Sequence, residues 1–119
     1  MNNKRLGTSF EREMVQFLRA RGYWVHFLQP SAAGAQPFDI LACKDGVPMV
    51  VECKTCVKPY IPISRLEENQ LSAFDYWMSR GNPAPIIAVK YANSIYKIPY
   101  LLLKKCEKVY LVNDYLWEE

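Results

Sequence analysis

Apolar residues recur along this chain with two different periods. From Ser9 to Arg21, Phe10, Met14, Phe17 and Leu18 fall at helical spacing and Gly22 follows as a stop, which predicts an amphipathic helix. Tyr23 to Leu28 reads as a strand, and Gln29 to Pro37, with Pro30, Ser31, Gly34 and Pro37, as a loop. Phe38 to Lys54 then holds two apolar runs flanking Asp45-Gly46, the composition of a two-residue hairpin turn. Cys56 to Ile63 reads as a Pro-containing loop leading to a second helix over Arg65 to Arg80, with Ser64 and Glu67 as its capping box. Gly81-Asn82-Pro83 breaks the chain. Pro85 to Tyr91 is nearly continuous in apolar residues, as a central buried strand is. Ala92-Asn93 turns into a strand at Ser94 to Ile98, and a short helix over Tyr100 to Cys106 and a strand over Val109 to Val112 follow. Helix, strands, helix, strands in that order predict an α/β fold, a sheet covered by helices.

The hairpin carries the chemistry. With Asp45-Gly46 at the turn, Lys44 faces Val47, and counting outward places Asp39 opposite Glu52. Directly opposed residues share a face and lie roughly 5 Å apart, and Lys54, two residues on, shares that face as well. The same parity puts Pro48, Val50, Glu52 and Lys54 on one side and Met49, Val51 and Cys53 on the other, the second set suited to a core. Two carboxylates facing each other repel, and a divalent cation between them removes the conflict. A carboxylate pair with an ammonium beside it points to metal-dependent phosphodiester cleavage. The plainer alternative is a surface pair of Glu52 and Lys54 with Asp39 at a loop edge.

Composition narrows the setting. The 119 residues suit one domain, 1–119, and 50% hydrophobic with 23% charged residues is a globular balance. A net charge of +3 requires any nucleic-acid surface to be local. No apolar run reaches membrane-spanning length and the first residues lack a signal-peptide core, so four reduced cysteines in a cytoplasmic setting are expected. Cys53-x-x-Cys56 has redox or zinc spacing, but no second such pair exists and His26 is the only histidine, so structural thiols are favoured. No Gly-x-Ser-x-Gly, phosphate-binding loop or His-Glu-x-x-His motif is present.

Two further polar residues sit on apolar stripes. Thr8 and Glu11 have the spacing of a capping box, yet the helical wheel also turns Glu11 toward the protein and Glu13 toward water, so capping and a place among the site's acids both stand. Gln70 lies among Leu66, Ala73, Phe74 and Trp77, where a buried amide needs partners, in the core backbone or in the site. Lys4, Arg5, Arg12, Lys58, Arg65 and Lys90 are candidate phosphate contacts, Arg19 and Arg21 a solvated face, and Lys104, Lys105 and Lys108, beside Glu107, either.

Taken in order, Gly7-Thr8-Ser9-Phe10-Glu11, Asp39, Glu52-Cys53-Lys54-Thr55 and Gln70 resemble the PD-(D/E)xK nuclease superfamily, and within it the compact Holliday junction resolvases of archaeal and recombination U type. Ser31-Ala32-Ala33-Gly34 resembles their serine-glycine loop, and the likeness runs from about Gly7 to Pro99. Phe38 stands where a proline is expected before the acid, and Cys53 fills the variable position between Glu52 and Lys54. The resemblance implies a restriction-endonuclease-like mixed sheet flanked by helices, acting as a structure-specific DNA endonuclease in recombination and repair. It implies Asp39, Glu52 and Glu11 as acids of a magnesium site that manganese also fills, Lys54 as the group that orients water or stabilises charge on phosphate, and Gln70 as support. Ser31 would touch DNA near the cut. It further implies a homodimer on four-way DNA in a bacterial, archaeal or phage-infected cell, with Tyr60, Tyr76 and Trp77 as interface candidates. A nuclease for flaps or duplex ends and a non-catalytic DNA-binding module are the alternatives.

Overall fold

Asp45 and Gly46 both take positive φ, 53° and 80°, in the computed structural model, which describes residues 9–29 and 36–118. That is the backbone a two-residue turn between right-twisted strands requires. The turn joins β2 (Ile40–Lys44) to β3 (Val47–Thr55), and their register pairs Lys44 with Val47 and Ile40 with Val51, as the turn position predicts.

β1 (Trp24–Phe27) lies antiparallel to β2 on the outer side. On the inner side β3 pairs in parallel with β5 (Ile86–Tyr91), which pairs antiparallel with β6 (Ser94–Pro99) through a second turn, Ala92-Asn93, also at positive φ. The five strands run β1-β2-β3-β5-β6, a mixed sheet. Three helices flank it: α1 (Ser9–Ala20), α2 (Glu68–Ser79) and α3 (Tyr100–Cys106).

Parity along β3 divides the core in two. Val51 and Cys53 join Phe10, Met14 and Leu18 of α1 on one face. Val50 joins Phe74 of α2 and Tyr100 and Leu103 of α3 on the other, with Ile87 and Val89. Both faces of β3 are therefore sealed, not only the Met49–Cys53 side. Glu52 shares the parity of Val50, so a carboxylate stands at the rim of an apolar layer beneath α2.

The expected elements recur with three corrections. The segment expected to be a loop before α2 contains β4 (Tyr60–Pro62), which pairs with β7 (Lys108–Tyr110) as a separate two-stranded ribbon. Its partner lies far along the chain, so local pattern carries no signal for it. The last strand accordingly covers Lys108–Tyr110, not Val109–Val112. α2 starts at Glu68 instead of Arg65: Ile63–Arg65 form one turn of 3-10 helix, and Leu66 is extended (φ −97°, ψ 135°) to bury its side chain in the core. The capping box moves with it, from Ser64 and Glu67 to Glu67 and Gln70. Among the described residues no helix is long and apolar enough to cross a membrane.

The turns give a paired test. No atom lies within 4 Å of a Cβ built on Gly46, so Gly46→Ala meets only the cost of positive φ. It should lower unfolding stability by about 1–2 kcal/mol. Ala92 already occupies such a conformation (φ 50°), so Ala92→Gly should raise stability by about 1 kcal/mol. Urea unfolding curves of the two variants should move in opposite directions.

Candidate active site

The backbone around Asp39 is held on three sides. Its N–H donates to the Val51 carbonyl at 3.2 Å, its carbonyl accepts from Leu28 N–H at 2.8 Å, and its Oδ2 accepts from Cys53 N–H at 2.9 Å. The regular β2–β3 register ends at Ile40–Val51: Asp39 N–H reaches the Val51 carbonyl, so the direct Asp39–Glu52 strand pairing that the turn implied does not form, and the Asp39 carboxylate is instead held beside Glu52 by Cys53 N–H.

Glu52 is 4% exposed, which excludes a surface ion pair. Its two oxygens differ. Oε2 accepts from Gln70 Nε2 at 2.7 Å and faces Lys54 Nζ at 3.4 Å. Oε1 is buried with no hydrogen-bond partner among the described residues. A buried polar atom left unsatisfied costs free energy, and in native proteins such an atom marks a missing water, ion or reacting group.

Gln70 joins fold and site through one amide. Its Oε1 accepts from Glu67 N–H at 3.0 Å, closing the start of α2. With the oxygen committed to the cap, the NH2 is directed at Glu52. The structural and functional readings of this residue both hold. Glu67 and Cys53 contribute through backbone N–H groups, which no residue-type pattern reveals.

The electrostatics match this geometry. Burial pushes Glu52 up to about 8, with the Asp39 charge adding to it and Lys54 and the Gln70 hydrogen bond opposing it. Burial likewise raises Asp39 to about 6, opposed by Cys53 N–H, increased by the Glu11 charge, and opposed again by Lys54. Two carboxylates held this close resist being charged together, and a proton or a cation relieves the conflict. Hard oxygen donors of this kind suit magnesium or manganese, ions that take one or two carboxylates and complete their shell with water and phosphate oxygens. Among the described residues no group of three or more His, Cys, Asp and Glu side chains is placed to hold a metal. Glu11, half-buried on the first turn of α1, is close enough to raise Asp39 and is a neighbour of the pair, not a third member of a formed cluster.

The remaining expectations divide. Glu13 is exposed and forms an ion pair with Lys90 at 2.8 Å, tying α1 to β5. Arg12, Lys58 and Arg65 are exposed. Arg65 donates to the Thr55 carbonyl at 3.0 Å and to Cys56 Sγ at 3.5 Å, next to the end of β3. Of the interface candidates, Tyr76 is 67% exposed, but Trp77 is half-buried and donates to the Pro83 carbonyl at 2.8 Å. Lys4, Arg5, Thr8 and Ser31 lie outside the described residues. Burial raises both Cys53 and Cys56, so neither thiol is activated for redox or metal chemistry, and His26 is exposed and stacked on Trp24 at 6.2 Å.

Comparison with known proteins places the chain among relatives. Residues 2–117 match the sequence model of the family described as archaeal Holliday junction resolvase (hjc). The chain is 30% identical over 115 residues to the crossover junction endodeoxyribonuclease Hje of Saccharolobus islandicus, covering 94% of this chain and 82% of that one. It is 28% identical over 110 residues to the crossover junction endodeoxyribonuclease Hjc of Methanocaldococcus jannaschii, covering 92% and 77%. The solved structure of Archaeoglobus fulgidus Hjc superposes with a TM-score of 0.68 at 19% identity over 87% of this chain and 85% of that one, a shared fold.

The raised carboxylates predict a pH-dependent stability. The folded pair keeps protons that the unfolded chain has released, so its favourable contribution is complete below the ordinary carboxylate range. It is lost as pH rises through about 6 and about 8, the values of Asp39 and Glu52. Glu52→Gln should therefore leave Tm little changed near about pH 4 and raise it by roughly 5 °C or more near about pH 9. Thermal melts across that range measure the difference. A variant less stable than the parent at alkaline pH would mean that the buried charge is not the source of strain.

Proposed function

The chain belongs to the archaeal Holliday junction resolvase family, and we propose that it is a magnesium-dependent crossover junction endodeoxyribonuclease that resolves four-way DNA as a homodimer. One observation carries this reading: a buried glutamate with one oxygen saturated by Gln70 and Lys54 and the other unpartnered among the described residues, with the Asp39 carboxylate held beside it by Cys53 N–H.

Asp39 and Glu52 would hold the metal, with Glu11 of α1 nearest among the other acids. When bound, the ion lowers the pKa of its water and neutralises the phosphate. The rest belongs to the chain. Gln70 and Lys54 fix Oε2, so Glu52 cannot rotate away and Oε1 stays presented. Cys53 N–H fixes Asp39 in the same way. Lys54, with its side chain only 17% exposed, keeps an ammonium at the place where negative charge grows on the phosphate and can also orient the attacking water. The layers containing Val50 and Val51 exclude bulk water from the back of the site. A four-way junction needs two symmetric cuts, which favours a two-fold dimer with one such site per protomer.

Asp39→Asn, Glu52→Gln and Lys54→Met should each lower cleavage of a synthetic four-way junction by about 100-fold or more while DNA binding persists. Cleavage should require added magnesium, and manganese should substitute. A protein that cuts flaps or duplex ends but leaves four-way junctions intact would belong to a different substrate class. Binding without cutting under every divalent cation would leave a DNA-binding module instead of an enzyme.

A further inference from the structure

The β4–β7 ribbon has two unlike faces. Its register pairs Tyr60 with Tyr110, Ile61 with Val109 and Pro62 with Lys108. Ile61 and Val109 point inward and are buried, whereas Tyr60, Pro62, Lys108 and Tyr110 share the outer face. There Lys108 Nζ lies 4.5 Å from the centre of the Tyr60 ring and 5.9 Å from that of Tyr110, and the two rings are 5.5 Å apart. Lys108 forms no ion pair with a described residue. Tyr110 is 55% exposed.

This face continues toward the site. Tyr60 borders a hollow of about 210 Å³ that Cys56, Lys58 and Arg65 also line. Arg65 binds the Thr55 carbonyl and Cys56 Sγ, which anchors that hollow to the end of β3, one residue beyond Lys54. Val57 to Arg65 contains two cations and no acid. Tyr100 to Val112 contains Lys105 and Lys108 beside Glu107, while Lys104 is paired with Asp75 at 3.0 Å. Lys58 and Arg65 therefore line the hollow next to the end of β3, and Lys108 lies over Tyr60 at its edge.

We propose that the outer face of the β4–β7 ribbon, built from Tyr60, Lys108 and Tyr110 with Lys58 and Arg65 at its border, grips the phosphate backbone of a DNA arm beside the cleavage site. The inference rests on the nuclease reading above. Charge complementarity selects the partner: ammonium, guanidinium and phenol groups are phosphate donors, and such contacts set the register of DNA without reading its sequence. Lys108 lies over the Tyr60 ring, which leaves that ring poorly placed to stack an unpaired base. The cation–π contacts also restrict the lysine, lowering the entropy lost when it meets a phosphate.

Binding of a four-way junction, followed by fluorescence anisotropy without added divalent cation from about 50 to 200 mM salt, tests this. Lys108→Gln should weaken binding roughly 3- to 10-fold and reduce the salt slope by about 0.9, the value for one lost phosphate contact. Tyr110→Ala should weaken binding in the same direction. Lys97→Gln removes the same charge from exposed β6 and should change neither quantity. A Lys108→Gln slope equal to that of Lys97→Gln overturns the proposal. If the parent chain binds DNA but never cuts it, the catalytic reading fails and the slope still decides the ribbon. If it binds no DNA, both fail.

Discussion

Two carboxylates brought together at the end of an antiparallel strand pair, one almost wholly buried, form the constraint around which this molecule is arranged. Nothing in sheet formation favours that pairing. β-strands gain from apolar and opposite-charge neighbours, and like charges directly opposite are destabilising. Here the Asp39 carboxylate is held beside Glu52, and burial makes both resist ionisation. The surrounding groups hold the pair in place without neutralising it: a backbone N–H for Asp39, an amide and an ammonium for one oxygen of Glu52. The other oxygen is left available.

That economy explains several details that otherwise look separate. Gln70 is buried because its amide serves two purposes, closing α2 and holding Glu52. α2 begins late because Leu66 must turn inward before the helix starts, and this delay places Gln70 at the third helical position. Had the helix started at Arg65, Gln70 would lie mid-helix with no free backbone N–H to cap, and its amide would have no fixed orientation. Glu13 and Lys90 bridge α1 to β5 and hold the helix bearing Glu11 against the sheet.

Much of the sheet was legible. The Asp45-Gly46 turn predicted the register as far as Ile40–Val51, because two positive-φ residues at a tight turn set the pairing that follows, but not the bond from Asp39 N–H to the Val51 carbonyl that ends it there. α1, β5, β6 and α3 were visible through periodicity or an apolar run. β4 was not, since three residues containing a proline resemble loop until Lys108–Tyr110 lies beside them. Among site residues, Asp39, Glu52, Lys54 and Gln70 were legible as types at a spacing. The Cys53 and Glu67 backbone donors were not, because every residue but proline carries the same N–H.

The sequence by itself determined which groups share a face. Strand parity and turn position are local geometry, and local geometry follows from residue type. It therefore determined that an acid pair and a lysine would meet, and that Gln70 would lie within an apolar stripe. The tertiary structure decided which of those groups lost contact with water. Burial depends on what packs above a residue, and the amide set against Glu52 comes from α2, distant in sequence. Only that packing separates a solvated surface pair from a buried carboxylate with one oxygen unpartnered, and the chemistry of the site lies in that difference.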